Sequence, residues 1–224
     1  MFWVEVAERR GPRLGVIRDG LSWSSSLQLS RAGDFNLRLP ASGRPLVTYG
    51  REVHCYTLIG GQATLIFSGI VASVAVDVNT RPWEVVVSGP DLTAELGTRS
   101  VHGLKTWSDP RGYNILALMR PLFPPGWSLD TTNGYASMLT QKTNLKFNNE
   151  SILAALVSLA ERFDEKWIVA PGTRQVRWMR RDAPTAAFAA TQWHGETANS
   201  YACLITAVAR EDQVHEQRTR VYGG

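Results

Sequence analysis

Cysteine is nearly absent from this chain of 224 residues: Cys55 and Cys203 are the only two, far apart and without metal-ligand spacing. That excludes a disulfide scaffold and a cysteine-based zinc site, and it makes each cysteine a small buried hydrophobe by default. Histidine is also scarce. His54, His102, His194 and His215 stand in unrelated contexts, with no His-x-x-x-His and no Cys-x-x-Cys, so no metal and no metal cofactor is expected. No stretch approaches the roughly twenty apolar residues that span a bilayer. Met1 runs straight into Phe2-Trp3-Val4-Glu5-Val6, which reads as a strand and not as a secretory leader; a soluble protein made in the cytoplasm, with no membrane anchor, is expected. No Gly-x-Gly-x-x-Gly follows a strand, and neither a phosphate loop nor a Gly-x-Ser-x-Gly elbow is present. Internal repeats and low-complexity linkers are missing too.

What is present is an ordinary folding composition, 44% hydrophobic and 20% charged, with eight tryptophans. Such a number of indoles suits cores and subunit interfaces. The net charge of +4 is spread evenly: residues up to Gly89 carry nine basic and seven acidic side chains, and the rest carry fifteen and thirteen. A dedicated nucleic-acid binder would cluster that excess on one stripe.

The first ninety residues read as strands separated by turns. Beyond Phe2 to Val6, candidates are Leu14 to Ile17, Leu27 to Leu29, Phe35 to Leu39, Val53 to Leu58, Thr64 to Val78 and Trp83 to Val87. In Gly33-Asp34-Phe35-Asn36-Leu37-Arg38-Leu39-Pro40 the apolar residues alternate strictly with polar ones, so one face is dry and the other wet. Gly60-Gly61 has hairpin chemistry, and Gly69 inside a strong strand marks a bulge or a bend. After Asp91 the pattern changes. A short helix is predicted from Tyr113 to Leu122, stopped by Pro121 and Pro124-Pro125. A second runs from about Glu150 to Phe163, with Ile152, Leu153, Leu156, Val157, Ala160 and Phe163 as its apolar stripe and Asn148 or Asn149 as its cap. Trp167 to Ala170 and Gln175 to Met179 form a hairpin around Pro171-Gly172, and Tyr201 to Val208 reads as a strand.

Candidate chemistry is thin. Trp193-His194-Gly195-Glu196 sets a histidine beside a carboxylate, but no nucleophile or third group can be named, and a loop contact is the better reading. Asp91, Glu95, Asp109 and Asp130 share no motif that would pair them as glycosidase carboxylates, so solvated turn acids are expected. Asn149-Glu150-Ser151 matches a glycosylation sequon that a helix cap explains equally well. In Arg177-Trp178-Met179-Arg180-Arg181 the indole interleaves with cations, as single-strand binders do; since Val176 and Trp178 share a face, a strand with Trp178 inward is expected instead. Arg218 and Arg220 are too few to make a site. No catalytic, cofactor-binding or metal residue is assigned, and no enzyme is expected.

The strand Gly33 to Pro40, answered by Phe67-Ser68-Gly69-Ile70-Val71 and then by Val85-Val86-Val87-Ser88-Gly89-Pro90-Asp91, with Leu46, Gly50, Val53 and Tyr56 between, resembles the central hub proteins of phage baseplates and tail tips, relatives of type VI secretion spike proteins. The likeness covers about ninety residues, with a looser echo to about Val169. It implies a mainly β fold with an α+β part: a small antiparallel β-barrel tube domain (residues 1–90), an α/β peripheral domain (91–190) and terminal strands (191–224) that return to the barrel or start a second one. It also implies a structural virion protein of the tail. The partners would be itself, as a ring that favours a trimer and leaves a hexamer open, and the tail-tube, distal-tail and fibre or spike proteins, with DNA only as lumen cargo. The rival reading is a carbohydrate-binding β module displaying Trp107, Trp127 and Trp193, which requires those indoles to be exposed.

Overall fold

The structure, a computed structural model, describes residues 2–105, 111–133, 141–180, 207–213 and 216–223, with backbone alone for 104, 105, 133 and everything from 207 onward. It divides into two compact units, Met1–Leu27 with Gly33–Leu92 and Phe188–Gly224, and Gln28–Ala32 with Thr93–Ala187.

In the first unit the strands are β1 (Phe2–Ala7), β2 (Arg13–Ile17), β3 (Ser22–Gln28), β4 (Asp34–Pro40), β5 (Glu52–Ile59), β6 (Gln62–Ile70), β7 (Ser73–Asp77) and β8 (Glu84–Pro90). The alternation of β4 is read out directly: Phe35, Leu37 and Leu39 are buried, while Asp34, Asn36 and Arg38 are exposed. Gly60 and Gly61 turn the β5–β6 hairpin at φ 62° and 73°, a conformation that costs glycine little.

The long arm expected from Thr64 to Val78 is two strands in two sheets. One sheet has the order β2-β1-β5-β6. The other, six-stranded, runs β14-β15-β3-β4-β8-β7, where β14 is Ala207–Gln213 and β15 is Glu216–Gly223. The chain changes sheet within one peptide: Val71 N–H donates to Arg51 O at 2.8 Å, and Ala72 N–H donates to Ser88 O at 2.9 Å. Only glycine fits where the backbones cross. A Cβ on Gly69 would lie 2.7 Å from the Phe35 ring and from Pro90 O, and one on Gly89 would lie 1.9 Å from Ile70 O. The expected mainly β class with an α+β part is what the structure shows; among the described residues the ladders of the β domain form two sheets meeting at this corner, and no closed barrel is formed. Between them lies one core of Val4, Val6, Phe35, Leu37, Leu39, Val53, Cys55, Phe67, Val85 and Val87 with their neighbours.

The second unit contains β9 (Leu104–Lys105), α1 (Gly112–Met119), β10 (Ser128–Asn133), β11 (Phe147–Asn148), α2 (Ile152–Phe163), β12 (Glu165–Val169) and β13 (Gln175–Arg180). Strands β10-β13-β12 form a sheet in which β10 runs parallel to β13. Helix α1 stops at Met119, and Pro121 sits in a 3-10 turn beyond it. Helix α2 is capped by Ser151, whose Oγ accepts from Ala154 N–H at 3.1 Å. The cap expected at Asn148 or Asn149 is thus displaced. Asn149 takes a left-handed conformation at φ 59°, and its Oδ1 accepts from Gly103 N–H at 2.9 Å. The buried stripe of α2 is Ile152, Ala155, Leu156, Leu159, Ala160 and Phe163, with Leu153 and Val157 at its rim. Ala155 and Leu159 are buried in place of those two, so the buried arc is rotated about the helix axis from the expected stripe.

Candidate functional site

A polar face is built by the pairing that buries the first core. Ser24 faces Asn36, and Asn36 faces Ser88 across β3, β4 and β8. With period two, the residues between these positions point to the core and these point away. Together with Ser26, Asp34 and Gly89 they line an open cleft of about 440 Å³. Ser26 Oγ donates to Asp34 Oδ1 and accepts from Asp34 N–H at 3.1 Å. Farther along the same face, Arg38 donates to Glu84 at 3.2 Å. Short hydroxyl and amide side chains, with the Asp34 carboxylate bonded to Ser26, line a cleft that offers no cation to a phosphate.

The acids expected in solvent divide. Asp91 is buried, accepting from Gly33 N–H at 2.9 Å through Oδ2 while its own N–H donates to Gly33 O at 3.0 Å. It locks the corner of the sheet. Glu95 is also buried, in the second unit: its Oε2 accepts from Trp127 Nε1 and from Arg174 Nε, both at 2.9 Å. A buried carboxylate needs such pairing to offset its desolvation. Of the described acids in this set, Asp130 stays at the surface. There the Thr132 backbone N–H, then its hydroxyl, and Arg177 at 3.6 Å hold its carboxyl below the usual range. Asp109 lies outside the described residues, as do Trp193, His194 and Glu196.

The structure assembles one serine–histidine–carboxylate group that the linear sequence hides. On β5 and β6, His54 Nδ1 lies 2.9 Å from Ser68 Oγ, and His54 Nε2 lies 3.7 Å from Glu52 Oε2. Glu52 and His54 share a face as i and i+2, and Ser68 is the ladder partner of His54. The signal was a strand register, which no motif search reads. Ser68 is only 3% exposed, so its hydroxyl meets no substrate, and the group serves as a cross-strand polar network. Beside it on the same face, Trp3 and Tyr56 stack at 5.5 Å and 8°; burial and the Glu5 carboxylate push the Tyr56 phenol up. Among the described residues no three His, Cys, Asp or Glu side chains are grouped to hold a metal ion.

The aromatic readings resolve by burial. Trp178 is fully buried and donates to Glu165, so the basic run on β13 has its indole inside and no stacking platform. Trp127 is 9% exposed and bonded to Glu95, which withdraws it from the carbohydrate-binding set. Trp107 lies outside the described residues. Among the described tryptophans the exposed one is Trp83.

No protein-family model and no curated protein matches this sequence. Solved structures match in fold. Prophage tail protein gp18 from Listeria monocytogenes aligns at a TM-score of 0.56 and 14% identity, covering 86% of this chain and 56% of its own. The tail protein from Neisseria meningitidis gives 0.51 and 17%, covering 79% and 51%. The 43 kDa tail protein of prophage MuSo2 from Shewanella oneidensis gives 0.50 and 14%, covering 80% and 54%. The chain thus spans about half the length of each neighbour, and over that half it shares the fold of these tail proteins.

Proposed function

We propose that this chain is a structural hub subunit of a phage-type tail tip, forming a closed ring that continues the tail tube and connects it to fibre or spike components. The observation that carries the reading is the fold shared with three tail proteins, two of them from prophages, over 79% to 86% of this chain. Architecture and not catalysis suits the side chains. The histidine nearest to a hydroxyl and a carboxylate sits over a sealed serine, and the conspicuous buried acids are consumed by backbone and indole donors. The polar face of β3, β4 and β8 fits a channel wall. Tight DNA binding requires several cations on phosphates, whereas the one arginine on this stretch, Arg38, is paired with Glu84. DNA would pass as cargo, and the protein would reside in the virion tail.

The test is direct imaging of the purified chain, and of tails that contain it, by electron microscopy with mass photometry. Rings with a central channel are expected, three copies if each subunit supplies two tube elements and six if each supplies one. A monomer at every concentration, and in the tail itself, would refute the reading.

A further inference from the structure

We propose that one end of the first unit, where Trp83, Tyr49, Arg44, Arg9 and Arg10 are exposed, docks a partner protein through a segment that carries carboxylates beside an apolar side chain. The surface is read from this chain alone and does not depend on ring closure.

Pieces distant in sequence are stitched together at this end. Strand β4 runs into the 3-10 turn Ala41–Gly43, and Ala41 N–H donates to Trp83 O at 3.2 Å. Arg44 N–H then donates to Ala41 O at 3.0 Å. Arg51 closes the loop that follows. Its guanidinium donates to Pro45 O at 3.2 Å and to Leu46 O at 2.7 Å, and it reaches Glu8 Oε1 at 3.6 Å. Glu8 opens the turn between β1 and β2, where Arg10 N–H donates to Glu52 Oε1 at 2.7 Å. Loop and turn are therefore tied to each other, and the surface they share is ordered before a partner arrives, which lowers the entropic cost of docking.

The composition of that surface suits an interface. Tyr49 is 82% exposed and Trp83 56%, and Arg9, Arg10 and Arg44 are exposed as well. Tryptophan, tyrosine and arginine are the residues that dominate binding energy between proteins. Every basic residue up to Gly89 is arginine and none is lysine. Interfaces favour arginine over lysine, because a planar guanidinium is weakly hydrated and forks onto a carboxylate.

Charge gives the sign of the partner. Arg9, Arg10, Arg44 and Arg51 stand with the carboxylates Glu8 and Glu52, and Glu52 is only 3% exposed, so the end is positive towards solvent. Glu84, next to Trp83 in sequence, is held by Arg38 at 3.2 Å. A nucleic acid needs several cations along its phosphates. Here Arg51 is committed to two carbonyls and to Glu8, whose carboxylate repels a phosphate backbone. An acidic protein segment with an apolar residue against Trp83 matches both the charge and the rings.

Fluorescence anisotropy on the full chain tests this with three labelled probes: a peptide of glutamates around a central phenylalanine, the same peptide with lysine for glutamate, and a single-stranded oligonucleotide. The chain is expected to bind the glutamate peptide and neither of the others. Raising salt from about 0.05 to about 0.5 M should weaken that binding, since exposed charges are screened. Arg9→Glu combined with Arg44→Glu, and separately Trp83→Ala, should each raise the dissociation constant by about tenfold or more, with an unchanged circular dichroism spectrum. Leu118→Ala on α1, an exposed residue of the second unit, should change nothing. No binding of the glutamate peptide, or binding that either variant leaves intact, overturns the proposal. Equal or tighter binding of the oligonucleotide overturns it in favour of nucleic acid. Self-association that the same substitutions abolish overturns it in favour of a second copy of this chain.

Discussion

Cys55 points from β5 into the first core, fully enclosed, and burial alone pushes its thiol up to about 12. The thiolate is the reactive form, so alkylation at neutral pH should leave Cys55 unmodified in the folded chain and modify it in urea; peptide mass spectrometry reads the difference. The same shift sets a sign for stability. The unfolded thiol ionises first as pH rises past its ordinary value of 9.0, so the folded state binds more protons and loses stability from there up to about pH 12. Below pH 9 the full contribution is present. A stability that rises over that alkaline window in the parent relative to Cys55→Ala would contradict the burial. Two acids make the complementary point. Asp91 and Glu95 look like turn acids because their donors are remote: Gly33 lies 58 positions from Asp91, and Arg174 lies 79 from Glu95. Spacing along the chain carries no record of either pairing.

At the level of elements, the corner between the two sheets depends on backbone approach. Gly89 needs no positive φ; what it needs is the absence of a Cβ, which would sit 1.9 Å from Ile70 O. Gly89→Ala should therefore destabilise the chain by about 1–3 kcal/mol or more, as overpacking against an immovable group does, measured as a lower urea midpoint. An unchanged midpoint would mean that the sheets part at no cost. Residue pattern alone showed Gly69 to be a bend inside a strand, yet it did not show that the bend hands the chain to a different sheet. The reason is that β-branched residues lie on both sides of Val71-Ala72, in β6 and in β7, and the hydrogen-bond acceptors there are Arg51 and Ser88 from elsewhere in the chain. Helix α2 was legible from its period, while its cap moved to Ser151 because Asn149 was taken by Gly103, 46 positions upstream.

The whole molecule carries two separate cores, one between the β-sheets of the first unit and one where α1 and α2 meet the β12–β13 sheet. Phe35 is 4% exposed in the first and Leu116 is fully buried in the second. Truncating them should cost about 3–5 and 2–5 kcal/mol respectively. In calorimetry Phe35→Ala is expected to lower one transition and Leu116→Ala another. A single transition shifted equally by both would mean that the units unfold as one body. A loss below about 1 kcal/mol for Phe35→Ala would contradict its packing against Phe67, whose ring lies 5.4 Å away.

Local order was written in the residues themselves. The alternation from Asp34 to Pro40, the glycine turn at 60–61, the apolar period of α2 and the inward indole of Trp178 each depend on neighbours within one turn or one strand, where side-chain direction follows backbone period. Tertiary structure decided everything that depends on pairing at a distance. It set which strands share which of the two sheets, brought Ser68 to His54 by register, buried Asp91 and Glu95 against remote donors, and, among the described residues, left β7 at a sheet edge with Val76 exposed. A strand's composition states which of its faces is dry; which strand lies beside it is a contest among all the strands of the fold, settled only when the core closes.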